Sequence, residues 1–216
     1  MNTCGEESVI ALGEGAHVVS SMSLPARATS ERLMPAVRDL LADAGLHVAE
    51  LQGIGVVHGP GSFTGARVGL SAAKGMCQGA DVGLIAMSRL ALVAAQAADN
   101  EKQVLALLDA GRGEFYAGLY RDRGQTLEWE RLLKPEHQHA TENAECITCE
   151  KKVASALGNR VMLVPEPGAE VLLRAMSVRA ASGLWSDLAT VDANYLRQTD
   201  AELLMSSGSR SDDRTR

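Results

Sequence analysis

Apolar positions along the 216-residue chain change their period several times, and each change marks an element. Residues 8–12 and 18–22 read as short strands around Gly13-Glu14-Gly15, a turn sequence, so the chain is expected to open with a hairpin. Over 30–44 the period lengthens. Leu33, Val37, Leu40, Leu41 and Ala44 recur at three- and four-residue spacing, Ser30 with Glu31 supplies a start signal, and Gly45 ends the predicted amphipathic helix. The run 54–57 is apolar and bounded by glycines, which predicts a buried strand. A helix over 64–79 follows, rich in small residues: Gly65, Gly69, Ala72, Ala73 and Gly75. An interior glycine costs up to ~1 kcal/mol relative to alanine, so several of them imply close approach of another element. A strand over 82–86 and a capped helix over 88–98 lead to the polar boundary Asp99-Asn100-Glu101-Lys102.

Beyond that boundary the pattern restarts. A strand over 104–108, the turn Asp109-Ala110-Gly111-Arg112-Gly113, a strand over 114–120 and a third near 127–133 repeat the layout of the first half. A short strand over 161–164 and a helix over 169–181 follow, the helix carrying Val171, Leu172, Ala175, Met176 and Arg179. The repetition predicts two related lobes, 1–100 and 101–205. From Ser206 the chain is serine, arginine and aspartate without periodicity, so 206–216 is expected to be a disordered tail.

Composition narrows the classes of function. Hydrophobic residues make up 46% of the chain, ample for a core at this length. The net charge of −6 and pI near 5.4 argue against a free-standing nucleic-acid binder, so any RNA contact would run through a partner. No apolar run approaches a membrane span, and the N-terminus has neither a basic nor a long apolar region, which makes cytoplasmic the expected location. Cys4, Cys77, Cys146 and Cys149 do not resemble a disulfide framework and are expected to be reduced. Cys146 and Cys149 form a C-x-x-C downstream of His137 and His139, enough ligands for zinc, but the spacing matches no common finger. No metal site is expected.

The densest chemistry lies in 56–69, where an apolar strand, a glycine-rich turn and a helix start succeed one another. Gly59, Gly61 and Gly65 can take positive φ and permit close backbone approach, while Pro60 fixes one φ. The first N–H groups of the following helix and its dipole suit a phosphate, and Ser62 and Thr64 are candidate caps. The competing reading is that the loop caps its own helix and packs on a neighbouring strand. A Walker loop fails because Gly65 is followed by Ala66 and Arg67 rather than by Lys-Ser/Thr. The dinucleotide fingerprint is a near miss, since the glycines are spaced G-x-G-x-x-x-G, with Asp81 at about the distance of a ribose contact. Ser62 lies in Pro-Gly-Ser-Phe-Thr, not in the G-x-S-x-G of an acyl-transfer nucleophile.

The run Gly59-Pro60-Gly61-Ser62-Phe63-Thr64-Gly65-Ala66-Arg67-Val68-Gly69 resembles the signature loop of the TsaB (YeaZ) family, subunits of the bacterial system that makes threonylcarbamoyladenosine in tRNA. Ser30-Glu31-Arg32-Leu33-Met34-Pro35 is similar to that family's first helix start. Asp109 to Tyr116 is similar to its second-lobe strand and turn, and Asn194-Tyr195-Leu196-Arg197 to its closing motif. The resemblance runs from Asn2 to about Arg197. It implies an α/β ASKHA fold, the two-lobed actin-like and sugar-kinase-like architecture with an RNase-H-type mixed sheet in each lobe. It also implies a non-catalytic subunit that pairs with the catalytic TsaD. TsaD carries an H-x-x-x-H metal pair, which His17, His47, His58, His137 and His139 do not form. The residues of the loop (Gly59, Pro60, Gly61, Ser62, Phe63, Thr64, Gly65, Arg67, Gly69) would then be phosphate-loop-like rather than catalytic. The partner face would comprise Glu31, Arg32, Met34 and Arg38 on the first helix and Arg67, Leu70, Ala73 and Lys74 on the second. No cofactor is expected on this chain alone, with ATP reserved for the assembled complex. A TsaE-like ATPase, tRNA through the complex and a homodimer complete the implied associations.

The chain also departs from the family. It begins Met1-Asn2-Thr3-Cys4, where TsaB chains have an apolar strand ending in Asp-Thr. Asn2 stands at the aspartate position, the first central strand is expected to be missing, and a start site assigned too late is the expected reason. Loss of a central strand would leave two sheet edges open. Residues 27–30 lack the histidine usual before the first-helix Ser-Glu. A second class of function is an active ATP-binding ASKHA-fold enzyme that uses the glycine-rich loop, with Asp109 holding magnesium, and Asn2 counts against it. A protease would need a paired nucleophile and base, and none is visible.

Overall fold

The computed structural model describes residues 1–98, 102–134 and 144–197; the predicted tail 206–216 and His137 and His139 lie outside the described residues. The chain opens with a hairpin, β1 (Glu7–Glu14) and β2 (His17–Pro25), followed by α1 (Thr29–Asp43). It continues through β3 (Gly53–Val57), α2 (Phe63–Ala80), β4 (Gly83–Met87) and α3 (Arg89–Ala94). The second half repeats the scheme with β5 (Val104–Gly111), β6 (Glu114–Arg121), β7 (Thr126–Leu133), β8 (Glu145–Thr148), α4 (Lys151–Leu157), β9 (Met162–Leu163) and α5 (Ala169–Ala181).

The two sheets have one topology. In the second the order is β7-β6-β5-β8-β9, with β5 antiparallel to β6 and parallel to β8. In the first, β1 pairs antiparallel with β2, and β3 parallel with β4. The slot between β1 and β3, which corresponds to that of β5, holds Met1 to Cys4. Asn2 exchanges both backbone hydrogen bonds with Val9, at 2.8 and 2.7 Å, and the Val57 N–H donates to the Met1 carbonyl at 2.9 Å. Asn2 thus bridges antiparallel to Val9 and parallel to Val57. The central strand expected to be missing is instead shortened to a bridge, and its slot is filled, so β1 and β3 do not face an empty gap.

Each half lends a helix to the other. α3 packs on β5 and β6, whereas α5 packs on β1 and β2. One core therefore runs through both lobes, with Val56, Leu84, Leu90, Leu92, Val104, Leu108 and Leu172 all buried. A satellite core beneath α1 joins Leu33, Val37, Leu40 and Leu41 to Ile10, Leu12 and Leu24, as the helical spacing predicts. A third, under α4, sets Val153 and Leu157 on Leu105, Leu107 and Phe115.

The small residues of α2 receive an internal explanation. A Cβ on Gly65 would run into the Thr3 carbonyl, and one on Gly69 into the Thr3 hydroxyl. The close neighbour is thus the chain's own N-terminal segment. Gly75 and Gly79, further along, face open space. Asp81, considered for a ribose contact, is the left-handed C-cap of α2 at φ 54°, and its N–H donates to the Cys77 carbonyl. The helix expected over 88–98 stops at Ala94.

Candidate functional site

The glycine-rich loop joins β3 to α2. Its Gly59–Pro60 peptide is cis, and Gly59 and Gly61 adopt φ of 113° and 149°, which only glycine takes readily. Ser62 is the cap of α2, its Oγ accepting the Gly65 N–H at 3.1 Å. The Ser62 N–H donates to the Cys4 carbonyl at 3.0 Å, and the Gly59 carbonyl accepts the Arg89 N–H at 2.6 Å. Two donors that a phosphate would need, those of Ser62 and Gly65, are therefore spent inside the chain.

Three segments singled out in the sequence converge on one open cleft of about 350 Å³. Gly59 and Gly61 come from the loop and Phe63 from the start of α2, Ala110, Gly111 and Arg112 from the end of β5 and its turn, and Asn194, Tyr195 and Arg197 from the closing motif. The last segment ties the two lobes together. The Asn194 N–H donates to the His58 carbonyl at 2.8 Å, and its Nδ2 donates to Glu130 Oε2 on β7 at 2.6 Å. Glu130 also accepts the hydroxyl of buried Tyr120. Arg67 Nε donates to the Tyr195 hydroxyl at 2.5 Å, and its guanidinium stacks 3.8 Å from the centre of the Phe63 ring. Arg197 bonds Glu114 Oε2 at 2.5 Å and the Gly111 carbonyl at 3.2 Å.

A second connection between the halves is buried. Arg89, the first residue of α3, is 3% exposed and reaches Glu150 Oε1 and both oxygens of Glu166, each at 3.0 Å. Burial works against its charge, but Glu166 and Glu150 outweigh it and push its pKa up. Glu150 Oε2 also accepts the Asp109 N–H at 2.6 Å. Asp109, the carboxylate considered for magnesium, is paired with Lys152 at 2.5 Å and accepts the Gly111 N–H at 3.0 Å. The Lys152 bond holds its carboxyl below the usual range. Among the described residues no group of three or more His, Cys, Asp or Glu gathers where a metal could be held.

The four cysteines are free thiols. Burial pushes Cys4 and Cys77 up to about 11 and moves Cys146 and Cys149 in the same direction, so none is a thiolate near neutrality. The Cys4 thiol donates to the Val57 carbonyl at 3.3 Å, and Cys149 accepts from Arg89 at 3.7 Å. These contacts are structural.

The residues expected at a partner face divide. Glu31, Arg32, Met34 and Arg38 are exposed on α1, with Arg38 paired to Asp39 at 2.8 Å, and Arg67 is exposed on α2. Leu70 and Ala73 are buried in the chain's own core and have no surface to offer. Their small or apolar character serves the main core, where α2 packs on β3 and β4. Lys74 is half-buried, its Nζ donating to the Val191 carbonyl at 3.0 Å. The exposed stripe of α2 is Phe63, Arg67, Ser71 and Gly75, at four-residue spacing.

Sequence reasoning missed Arg89, Glu130 and Glu166. One signal was available: an arginine opening the otherwise apolar stretch Arg89-Leu90-Ala91-Leu92-Val93-Ala94, all of it buried, must carry an ion pair inside.

Two matched mixed sheets, with a cleft between them and a helix exchanged each way, define an ASKHA-type α/β protein. The model of the family described as TsaD, tRNA N6-adenosine threonylcarbamoyltransferase, matches residues 18–177, and the chain belongs to that family. It is similar to the tRNA threonylcarbamoyladenosine biosynthesis protein TsaB of Escherichia coli K12, with 33% identity over 146 residues, 64% of this chain and 63% of that protein. TsaB of Bacillus subtilis 168 is 38% identical over 99 residues, 46% of this chain and 43% of that protein. The matches thus span less than two thirds of these relatives. Among solved structures, YeaZ from Pseudomonas aeruginosa superposes with a TM-score of 0.75 at 26% identity, covering 90% of this chain and 97% of that one. A second, described as an uncharacterized protein with similarity to peptidase YEAZ from the same organism, gives 0.72 at 28%, covering 91% and 97%. The resemblance carried by the loop, the turn and the closing motif is therefore to TsaB (YeaZ) proteins over the fold as well as the motifs. No helix among the described residues is long and apolar enough to cross a membrane.

Proposed function

We propose that this chain is a non-catalytic subunit that docks a TsaD-type catalytic subunit in the addition of threonylcarbamoyl to adenosine next to the anticodon of tRNA. The observation that carries the reading is the state of the glycine-rich loop. Its Ser62 and Gly65 N–H groups are consumed by Cys4 and by the Ser62 hydroxyl, which supports a helix cap over a phosphate cradle. Asn2 at the aspartate position and Asp109 bound to Lys152 support the same conclusion, since neither offers an uncommitted carboxylate to a magnesium ion.

The docking face is the exposed side of α1 and α2, with Met34 and Arg38 on one helix and Phe63, Arg67, Ser71 and Gly75 on the other. Arginine and aromatic groups beside small residues give a helical partner both anchors and close approach. Leu70 and Ala73 are excluded from it by burial. A TsaE-like ATPase, tRNA held through the complex and a competing homodimer belong to this reading, as does work in the cytoplasm with ATP bound only by the assembly.

The test is to mix the purified chain with its TsaD-type subunit and measure both complex formation and tRNA modification, with and without the chain. The expected result is a complex and modification that depends on it. Absence of a complex, together with ATP hydrolysis by this chain alone, would favour the active ATP-binding enzyme and sink the scaffold.

A further inference from the structure

Residues 192–197 hold both rims of the cleft by directional contacts more than by burial. On the first-lobe rim the Asp192 carbonyl meets His58 Nδ1 at 2.9 Å, the Asn194 N–H meets the His58 carbonyl, and Tyr195 meets Arg67. On the second-lobe rim Asn194 meets Glu130, and Arg197 meets Glu114 and Gly111. Ala193 is buried, but Tyr195 remains 41% exposed, its ring tilted 5.5 Å from that of Phe63, a residue itself 47% exposed. A segment laid down as core would bury that ring. Here a phenol, an amide and a guanidinium instead reach groups on two separate lobes, as a bound ligand's polar groups would.

We infer that residues 192–197 act as a tethered ligand of the interlobe cleft, lining one wall of it and holding the two lobes at one closure. Two-lobed proteins change state by hinge closure around what binds between the lobes. In this chain the closing ligand is covalently attached, so its effective concentration is high and the closed arrangement is the resting one. Arg67 and Phe63 are shared with the proposed docking face, but exchange measured on the chain without a partner reads the tether alone.

Hydrogen exchange on the full chain, read by mass spectrometry, tests it. The variant Tyr195→Ala/Arg197→Gln removes the Tyr195 contacts to Arg67 and Phe63 on one lobe and the charge pairing of Arg197 with Glu114 on the other. Exchange at residues 58–66 and at residues 109–114 is expected to rise at least tenfold together, while β1, β2 and β8 keep their rates. A rise confined to one rim or to 192–197, or an equal rise throughout both sheets, overturns the proposal. Should the double variant fail to fold, the milder Tyr195→Phe and Arg67→Lys serve instead. Each must raise exchange at both rims severalfold, and unchanged rates at either rim overturn the proposal equally.

Discussion

Both carboxylate oxygens of Glu166 lie 3.0 Å from the buried guanidinium of Arg89, joining the start of α3 to the segment that precedes α5. Glu150 adds a third contact at the same distance. Arg89→Ala leaves two acidic groups side by side without their cation. Breaking a buried pair from one side costs about 3–5 kcal/mol, and the partial exposure of Glu150 and Glu166 lets them rehydrate, which places the loss near about 3 kcal/mol. Glu166→Gln keeps an acceptor for Arg89 and leaves Glu150 in place, so about 1 kcal/mol is expected. Urea unfolding of the two variants checks the order. Equal losses would mean that Arg89 is not the hub.

His58 gives the fold a dependence on pH. Burial lowers its pKa below the ordinary 6.5, while its Nδ1–H donates to the Asp192 carbonyl at 2.9 Å. The folded protein then binds fewer protons at this site than the unfolded chain does in the window just below pH 6.5. Stability is complete above that value and is lost as the pH falls through the window toward the folded pKa. His58→Asn lacks that titration. The difference in unfolding free energy between the two proteins should therefore change as the pH falls from 6.5 and stay level above it. A difference that stays flat below pH 6.5 would contradict the assignment.

Much of the architecture was legible because it depends on local period. α5 begins and ends where the spacing of Leu172, Ala175 and Met176 places it, and the strand pattern that restarts after the polar boundary became the second sheet. β8 and α4 were not legible. Four strand residues with Cys146 and Thr148 among them, followed by the seven-residue helix Lys151–Leu157, are too short to display a period, and burial of Ile147, Val153 and Leu157 decides them. Gly53 and Gly83 likewise make sense only in three dimensions, where the ring of Trp185 lies over both. At the site, the motifs were visible but their relation was not. Arg67 and Tyr195 are 128 positions apart, and no spacing rule connects a helix start with the closing motif.

The partner face separates by burial into positions that answer differently to a charge. Met34 is 47% exposed on α1, whereas Leu70 is 5% exposed on α2. Met34→Asp is expected to change folding stability by no more than about 0.5 kcal/mol, as surface substitutions do. In the proposed assembly it should nevertheless weaken the complex with the TsaD-type subunit at least tenfold. Leu70→Asp puts an unpaired carboxylate into the core and should cost about 3 kcal/mol or more. Thermal unfolding and a binding titration on the same two proteins distinguish an interface position from a core one. Loss of stability in Met34→Asp would remove it from the face.

Two glycines of one helix should respond to alanine with opposite signs. At Gly65 the new methyl would meet the Thr3 carbonyl, a backbone atom held by its own neighbours. Overpacking costs about 1–3 kcal/mol, and the better helix propensity of alanine returns at most ~1 kcal/mol, so Gly65→Ala should lower stability. At Gly75 nothing lies within 4 Å of the new methyl, and only the propensity gain remains. Gly75→Ala should therefore raise stability by about 0.5–1 kcal/mol. Urea unfolding of both variants measures the pair. If Gly75→Ala also weakens the complex with the TsaD-type subunit, its glycine is kept for the partner's approach and Gly65 for the chain's own first residues. If Gly65→Ala is neutral, the Thr3 segment is not pressed against α2, and the small residues there need another cause.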